Sequence, residues 1–308
     1  MVGGRLAQHG HDVVLIARGA HLDVLRRDGL RLEDPDGIEQ VPVEAVGHPA
    51  ELDWRGGDVV LLGMKSQHTA GALDDLIASG APADLPVLCL QNGVANERRV
   101  LRQFARTYGV CVMLPAEHLE PGLVRAYSAP ITGNLDLGGY PSGADDLATE
   151  IADALSSSGF SSLPLDDIMR WKHTKLLMNL GNILEAAVGR ESRSGELATR
   201  VVAEGESVLR SAGIPFASWE EDAERRKDGP TMKRVAGELR DGGSTWQSLA
   251  RGATSIETDD LNGEIVLQAR LAGVDAPVNE MLQRLGHELI ATHAAPGSFT
   301  EAELLARL

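Results

Sequence analysis

Residues 2–19, VGGRLAQHGHDVVLIARG, decide the reading of the fold. The run VVLIA at 13–17 is short, apolar and β-branched. It is followed by Arg18-Gly19 and a helical pattern through Leu22 and Leu25, which makes it a buried strand entering a helix. With Gly3 and Gly4 ahead of it, the stretch has the form of the end of a dinucleotide-binding fingerprint. That end comprises the last glycine, the first helix, the second strand and the strand-end residue that selects the ribose substituent. Residue 1 falls inside the motif, so its opening strand and two further glycines are not in the sequence. The first strand is central in a doubly wound sheet, so the strands near 13–17 and 59–63 are expected to face each other with unpaired edges.

Working outward, DVVLLGMKS at 58–66 and LPVLCLQNGV at 85–94 repeat the pattern of a continuous apolar run closing in polar residues. A helix is expected over 97–108 and a strand from Val110. Buried strands alternating with helices mean a parallel sheet. Between the first two strands, alternating apolar positions on either side of Pro35-Asp36-Gly37 predict a hairpin. A helix over 145–157 closes this part. Beyond Asp167 the periodicity turns helical, over 168–187, 196–212, 219–236, 255–272 and 278–292. Asn262-Gly263 interrupts the fourth of these and points to close helix packing. The expected fold is therefore α/β, a Rossmann-like parallel-sheet domain over 1–164 followed by an all-α domain over 165–308.

Composition narrows the function. The chain has 308 residues, with 29 Lys+Arg against 45 Asp+Glu and a formal charge of −16, which repels phosphate backbones and anionic lipid. Nucleic acid and membrane surfaces are not expected partners. Two cysteines, Cys89 and Cys111, sit in apolar runs, so no disulfide framework or metal ligand set is expected, and a reducing cytoplasm suits the chain. No apolar stretch approaches the ~20 residues that span a bilayer.

Candidate site residues gather at strand ends and on one helix. Arg18 stands where sites for NAD carry an acidic residue, and its charge suits a 2′-phosphate; an ordinary surface arginine is the other reading. Lys65, with Gln67, and Asn92 each follow a buried strand, which places them on the carboxyl edge where doubly wound sheets bind ligands. In WKHTKLLMNLGNILEA, which starts at Trp171, Lys175, Asn179 and Asn182 are spaced four and three apart and share a helical face. Flanked by core leucines, these polar groups need partners, and a substrate would supply them. Lys172 is the competing lysine, offset from the two asparagines by seven and ten positions. Ser244 is a candidate donor to a carboxylate. Glu257 is a candidate partner of a cationic acid or of a substrate hydroxyl, with Asp259 and Asp260 equivalent by type. Gly3 is read as a cofactor contact or as a helix-packing glycine.

The ordered set GHDVVLIARGAHLDVLRRDGLRL, VLLGMKSQ, LQNGVANE, KLLMNLGN and SLARGATSIETDDLNG resembles the ketopantoate reductase (2-dehydropantoate 2-reductase) family over nearly the whole chain. The resemblance implies NADPH-dependent reduction of a 2-oxo acid, most directly 2-dehydropantoate, with Lys175 as general acid and Glu257 beside it. It also implies substrate contacts from Asn92, Asn179 and Ser244 and cofactor contacts from Lys65 and Arg18; the residue reading adds Asn182 as a substrate contact and Gly3, Gln67 and Asn92 as cofactor contacts, with a homodimer as the candidate assembly. Three departures stand out: the absent opening of the fingerprint, one extra residue between Gln247 and Glu257, and Asn182 one position before the family's usual second asparagine. They keep open another NADP-dependent 2-oxo or 3-hydroxy acid dehydrogenase of the 6-phosphogluconate dehydrogenase-like group, and a catalytically silent ligand-binding or scaffold protein.

Overall fold

A computed structural model describes all 308 residues. Ten strands form: β1 (Val14–Ile16), β2 (Leu30–Asp34), β3 (Gly37–Val41), β4 (Glu44–Val46), β5 (Val60–Leu62), β6 (Val87–Cys89), β7 (Thr107–Met113), β8 (Ala116–Glu117), β9 (Leu123–Ala126) and β10 (Asn134–Gly139). They make three sheets, in the orders β1-β4, β10-β7-β6-β5 and β3-β2-β9-β8. β6 is buried on both faces and runs parallel to β5 and β7, with Val87 opposite both Val60 and Thr107. Leu73 and Leu76 of the helix Thr69–Ala78 cover one face together with Val100 and Phe104. Ala148, Ala152 and Leu155 of the helix Asp146–Ser157 cover the other. Parallel register brings the carboxyl ends of β5, β6 and β7 to one edge, and that edge carries the site.

The expected hairpin is β2-β3, its turn held by Asp34, whose Oδ1 accepts from Asp36 N at 2.8 Å and Gly37 N at 3.2 Å. β1 pairs in parallel with β4 alone and β5 with β6 alone, so no hydrogen-bonded ladder joins β1 to β5, as expected for the facing edges.

Several element boundaries differ from the sequence reading. The helix expected over 97–108 is Asn96–Leu101, and β7 begins at Thr107 because the backbone there is drawn into pairing with β6, Val87 N donating to Arg106 O at 2.9 Å. The helix expected over 168–187 is two, Ile168–Asn179 and Asn182–Ala187; the Leu180 carbonyl at the break accepts from Asn262 Nδ2 at 3.1 Å. The helix expected over 219–236 is Trp219–Arg226 only. Pro230 has no N–H to continue it, and the chain beyond pairs back to the sheet unit, Lys233 N donating to Tyr127 O at 2.9 Å. In the stretch 255–272, Glu257–Asp260 is a 3-10 turn and the helix is Asn262–Ala272, so Asn262-Gly263 opens a helix instead of interrupting one. A Cβ at Gly263 would lie 2.7 Å from Gln283 Nε2, which is the close packing expected of it. Glu196–Ser211, Ser244–Ala250, Pro277–Ala291 and Glu301–Leu305 complete the helical unit, whose core joins Leu177, Leu180, Val201, Ile265 and Leu282.

Candidate active site

Three strand ends and one crossing helix build the site. After β6 the chain turns at Gln91-Asn92-Gly93. Gly93 has φ +78°, and a Cβ there would sit 2.8 Å from the Asp260 carbonyl oxygen, so only glycine lets the helical unit approach this closely. The helix Ile168–Asn179 lies over the same edge. Lys172 and Lys175, one turn apart, both line a small recess with Gln91, Asn92, Gly93, Cys111 and Val112. The helical offset therefore does not separate the two lysines; their depth does.

Lys172 is spent on the scaffold. Its side chain is 2% exposed, its ammonium donates to the carbonyls of Gln91 at 3.0 Å and Val110 at 3.1 Å, and it lies 2.7 Å from Oε1 of Glu97, a carboxylate with no exposure. That ion pair is the only partner of Glu97. Lys175 is half-buried and makes no hydrogen bond or ion pair. Burial lowers its pKa from the ordinary lysine value and the Arg226 and Arg240 cations add to this, while the neighbouring Cys111 and the Asp222 carboxylate oppose it. One turn on, Asn179 is buried and its Nδ2 has no partner. These are the groups a ligand would satisfy, since an unpaired buried polar group costs about 1–3 kcal/mol.

The other candidates form a second cluster where the helical unit meets β5. Lys65 donates to the Ser244 carbonyl at 3.3 Å and to Ser248 Oγ, and stands 3.9 Å from Glu257 Oε2. Burial is the main cause lowering the Lys65 pKa, with the Glu257 charge opposing it. Glu257, 6% exposed, accepts from Ser66 N and Ser66 Oγ, both at 3.2 Å. A buried relay continues from there: Asn96 Nδ2 donates to Ser66 Oγ, Thr69 Oγ1 to Asn96 Oδ1, and Gln91 Nε2 to Thr69 Oγ1 at 2.7 Å. Glu257 is thus connected to the residue before Asn92 through hydrogen bonds, and makes no direct contact with Lys175. Gln67 Nε2 donates to Ser255 Oγ at 3.2 Å while its Oε1 is buried without a partner.

Ser244 opens the helix Ser244–Ala250, which packs within the helical unit against the helix that begins at Asn182. A Cβ on Gly243 would stand 3.7 Å from Asn182 Oδ1 and 2.7 Å from Glu185 Oε2, which accepts from Gly243 N at 2.9 Å. Arg18 is 73% exposed and pairs with Asp75 at 2.6 Å, with His48 Nε2 3.4 Å from the same carboxylate. Gly3 lies in the helix Val2–Gln8, where a Cβ would come within 2.7 Å of Leu15 Cδ2; it permits close packing of helix on strand. The Lys172–Glu97 pair and Arg240 were not read from the sequence. No spacing rule connects Glu97 to a lysine 75 positions on, and nothing local marks Arg240 among the chain's arginines.

The ketopantoate reductase PanE/ApbA family model matches residues 1–140, and the model of the family's C-terminal part matches residues 167–289. The chain belongs to the ketopantoate reductase family. It is 29% identical over 296 residues to the 2-dehydropantoate 2-reductase of Pyrococcus horikoshii, covering 92% of each chain. Among solved structures it is similar to a PanE/ApbA family ketopantoate reductase from Ralstonia eutropha, with TM-score 0.77, 29% identity and 95% of each chain covered. A D-mandelate dehydrogenase solved with NADH and anilino(oxo)acetate shares the fold at TM-score 0.79 and 23% identity over 95% of each chain. Family membership makes this ketopantoate reductase homologue an oxidoreductase of the 2-dehydropantoate 2-reductase type, and no helix is long and apolar enough to cross a membrane.

Proposed function

We propose that the protein reduces a 2-oxo acid, 2-dehydropantoate foremost, to the 2-hydroxy acid with NADPH. The observation that carries this reading is Lys175, half-buried in the recess beside Asn92 and unpaired, on a helix whose Asn179 amide is also unsatisfied. The residues present fit a nicotinamide dinucleotide. The strand-end residue Arg18 is cationic, Gly3 allows the close helix–strand packing the fold needs, and Gln67 Oε1 is a buried acceptor without a donor. When bound, that cofactor supplies a hydride to C2 of the oxo acid. Arg18, Lys65 and Gln67 would hold it, with Gly3 acting only through the packing of its helix on β1.

Lys175 holds the proton for the C2 oxygen. As an ammonium it stabilises the developing alkoxide electrostatically and then donates to it. Asn92, on a turn fixed from below by Lys172, and Asn179 orient the carbonyl; Asn182 and Ser244 would receive the carboxylate. Glu257 keeps Lys65 and the Ser66 turn in place and, through the relay to Gln91, the register of Asn92. The helical unit covering the edge excludes water. The test follows nicotinamide absorbance with NADPH over a panel of branched and linear 2-oxo acids and identifies the product. Turnover greatest with 2-dehydropantoate supports the assignment, and turnover greatest with another oxo acid moves the substrate while keeping the reaction. No turnover with any of them, in a protein that binds NADPH, refutes it.

A further inference from the structure

The chain between the helices Trp219–Arg226 and Ser244–Ala250 crosses to the sheet unit, turns where Val235 and Glu238 exchange backbone hydrogen bonds at 2.9 Å, and comes back at Arg240, four residues before Ser244. Other arginines of comparable burial are paired: Arg225 with Asp136, Arg226 with Asp222, Arg125 with Glu33. Arg240 is half-buried, yet its guanidinium makes no hydrogen bond and no ion pair, and its Nε is buried without a partner. It stands in the field of Glu185 and Arg193 from the helical side and of Glu117 and Tyr127 from the sheet side, and its own charge acts on Lys175. Neither carboxylate takes it up. Glu185 is bonded to Arg193 at 2.5 Å, and Glu117 lies 3.7 Å from Arg125. A desolvated cation without a counter-ion is unfavourable, and a guanidinium matches one anion best, a planar carboxylate held by two parallel N–H donors.

We propose that Arg240 anchors the carboxylate of the substrate and sets the site's demand for an acid over a neutral carbonyl compound. The inference rests on the 2-oxo acid reading above and adds a charged anchor that the amides and Ser244 do not provide. On this division of labour the ketone oxygen falls to Lys175 and the adjacent carboxylate to Arg240, whose charge acts on Lys175.

The test measures binding without turnover. Calorimetry compares pantoate, a 2-hydroxy acid anion, with its neutral amide on the intact protein and on Arg240→Met, Arg240→Lys and Glu117→Gln. The intact protein is expected to prefer the acid by roughly 10²-fold, the scale of a desolvated charge pair. Arg240→Met is expected to bring the two ligands within a few-fold of each other, with millimolar guanidinium restoring part of the preference. Arg240→Lys should fall in between, and Glu117→Gln should leave the preference intact. The proposal is overturned if Arg240→Met binds pantoate as the intact protein does, if it loses acid and amide equally, or if the intact protein shows no preference. Turnover is scored separately. Pantoate binding through Arg240 without oxo acid reduction sinks the reaction assignment alone, and reduction with a KM indifferent to Arg240→Met sinks the anchor alone.

Discussion

Lys172→Ala should unfold this protein more readily than any substitution at Lys175. The change strands the fully buried Glu97 carboxylate, whose only partner is the lost ammonium at 2.7 Å, and leaves the Gln91 and Val110 carbonyls short of a donor. Breaking a buried ion pair from one side costs about 3–5 kcal/mol. Removing most of the aliphatic stem adds on the order of 2 kcal/mol at ~0.8 kcal/mol per methylene. The sum is comparable to a typical total stability of about 5–15 kcal/mol, so the variant should be marginal. Removing both charges should behave differently. Lys172→Met with Glu97→Gln keeps the volume, leaves no stranded ion, and should recover most of the loss, because a buried pair is worth far less than the penalty for halving it. Urea unfolding followed by circular dichroism reads both, with unchanged slopes showing that the unfolding transition is the same one. A Lys172→Ala variant within about 1 kcal/mol of the parent would refute the reasoning, and so would a double variant less stable than the single one.

Lys175→Ala should lower turnover by roughly 10²–10⁴-fold with the melting temperature little changed; equal kinetic losses at Lys172 and Lys175 in folded protein would remove the distinction drawn between them. Because burial and the cations Arg226 and Arg240 lower the Lys175 pKa against the opposing Cys111 and Asp222, and because the acid must be protonated, kcat/KM should be full at neutral pH and fall as pH rises, with a midpoint below that of an ordinary lysine. Asp75→Asn, which frees Arg18 from its ion pair, should tighten NADPH and leave NADH unchanged, and Arg18→Ala should weaken NADPH alone; calorimetry with both dinucleotides decides. His173 is kept neutral chiefly by burial, its pKa lowered to about 4, so the unfolded chain takes up the proton first. Stability should be intact above about pH 6.5 and decline as pH falls toward 4, by at most about 3 kcal/mol from this group, and His173→Gln should flatten that part of the melting-temperature profile.

The strands were legible as short apolar, β-branched runs, although of β1, β5 and β6 only β6 is buried on both faces: β5 is half-buried, and β1, expected to be buried, leaves Ile16 exposed because it pairs with β4 alone. VVLIA, VVLLGMK and LPVLCLQNG are each closed by the polar residue that marks the ligand-binding edge, and β1, β5 and β6 follow them within a residue or two. The helix breaks were not legible, because their causes are distant in sequence. The Leu180 carbonyl is taken by Asn262, and the segment after Arg226 is held extended by Tyr127 and Ala129. The two lysines show the same limit. At a spacing of three they share a face and one recess, and which of them is free for chemistry depends on Glu97, far away in sequence and supplied by the other unit.

The acidic stretch after Ile256 carries this further. By residue type, Glu257, Asp259 and Asp260 were interchangeable, and family resemblance alone singled out the first. In the 3-10 turn Glu257–Asp260 the three carboxylates meet different sets of partners. Asp259 faces outward to Gln283 at 2.7 Å and His287 at 2.9 Å, and Asp260 ties the units together through Arg99 at 2.9 Å. Glu257 alone is buried against Lys65 and Ser66, at the head of the relay that ends beside Asn92. A carboxylate in that position acts on the site through hydrogen bonds to the sheet edge, so Glu257→Gln, which keeps the shape and can still accept from Ser66, should be milder than Glu257→Ala. The larger loss on truncation should appear in kcat as Asn92 loses its register, and an equal effect of the two substitutions would point instead to the charge itself.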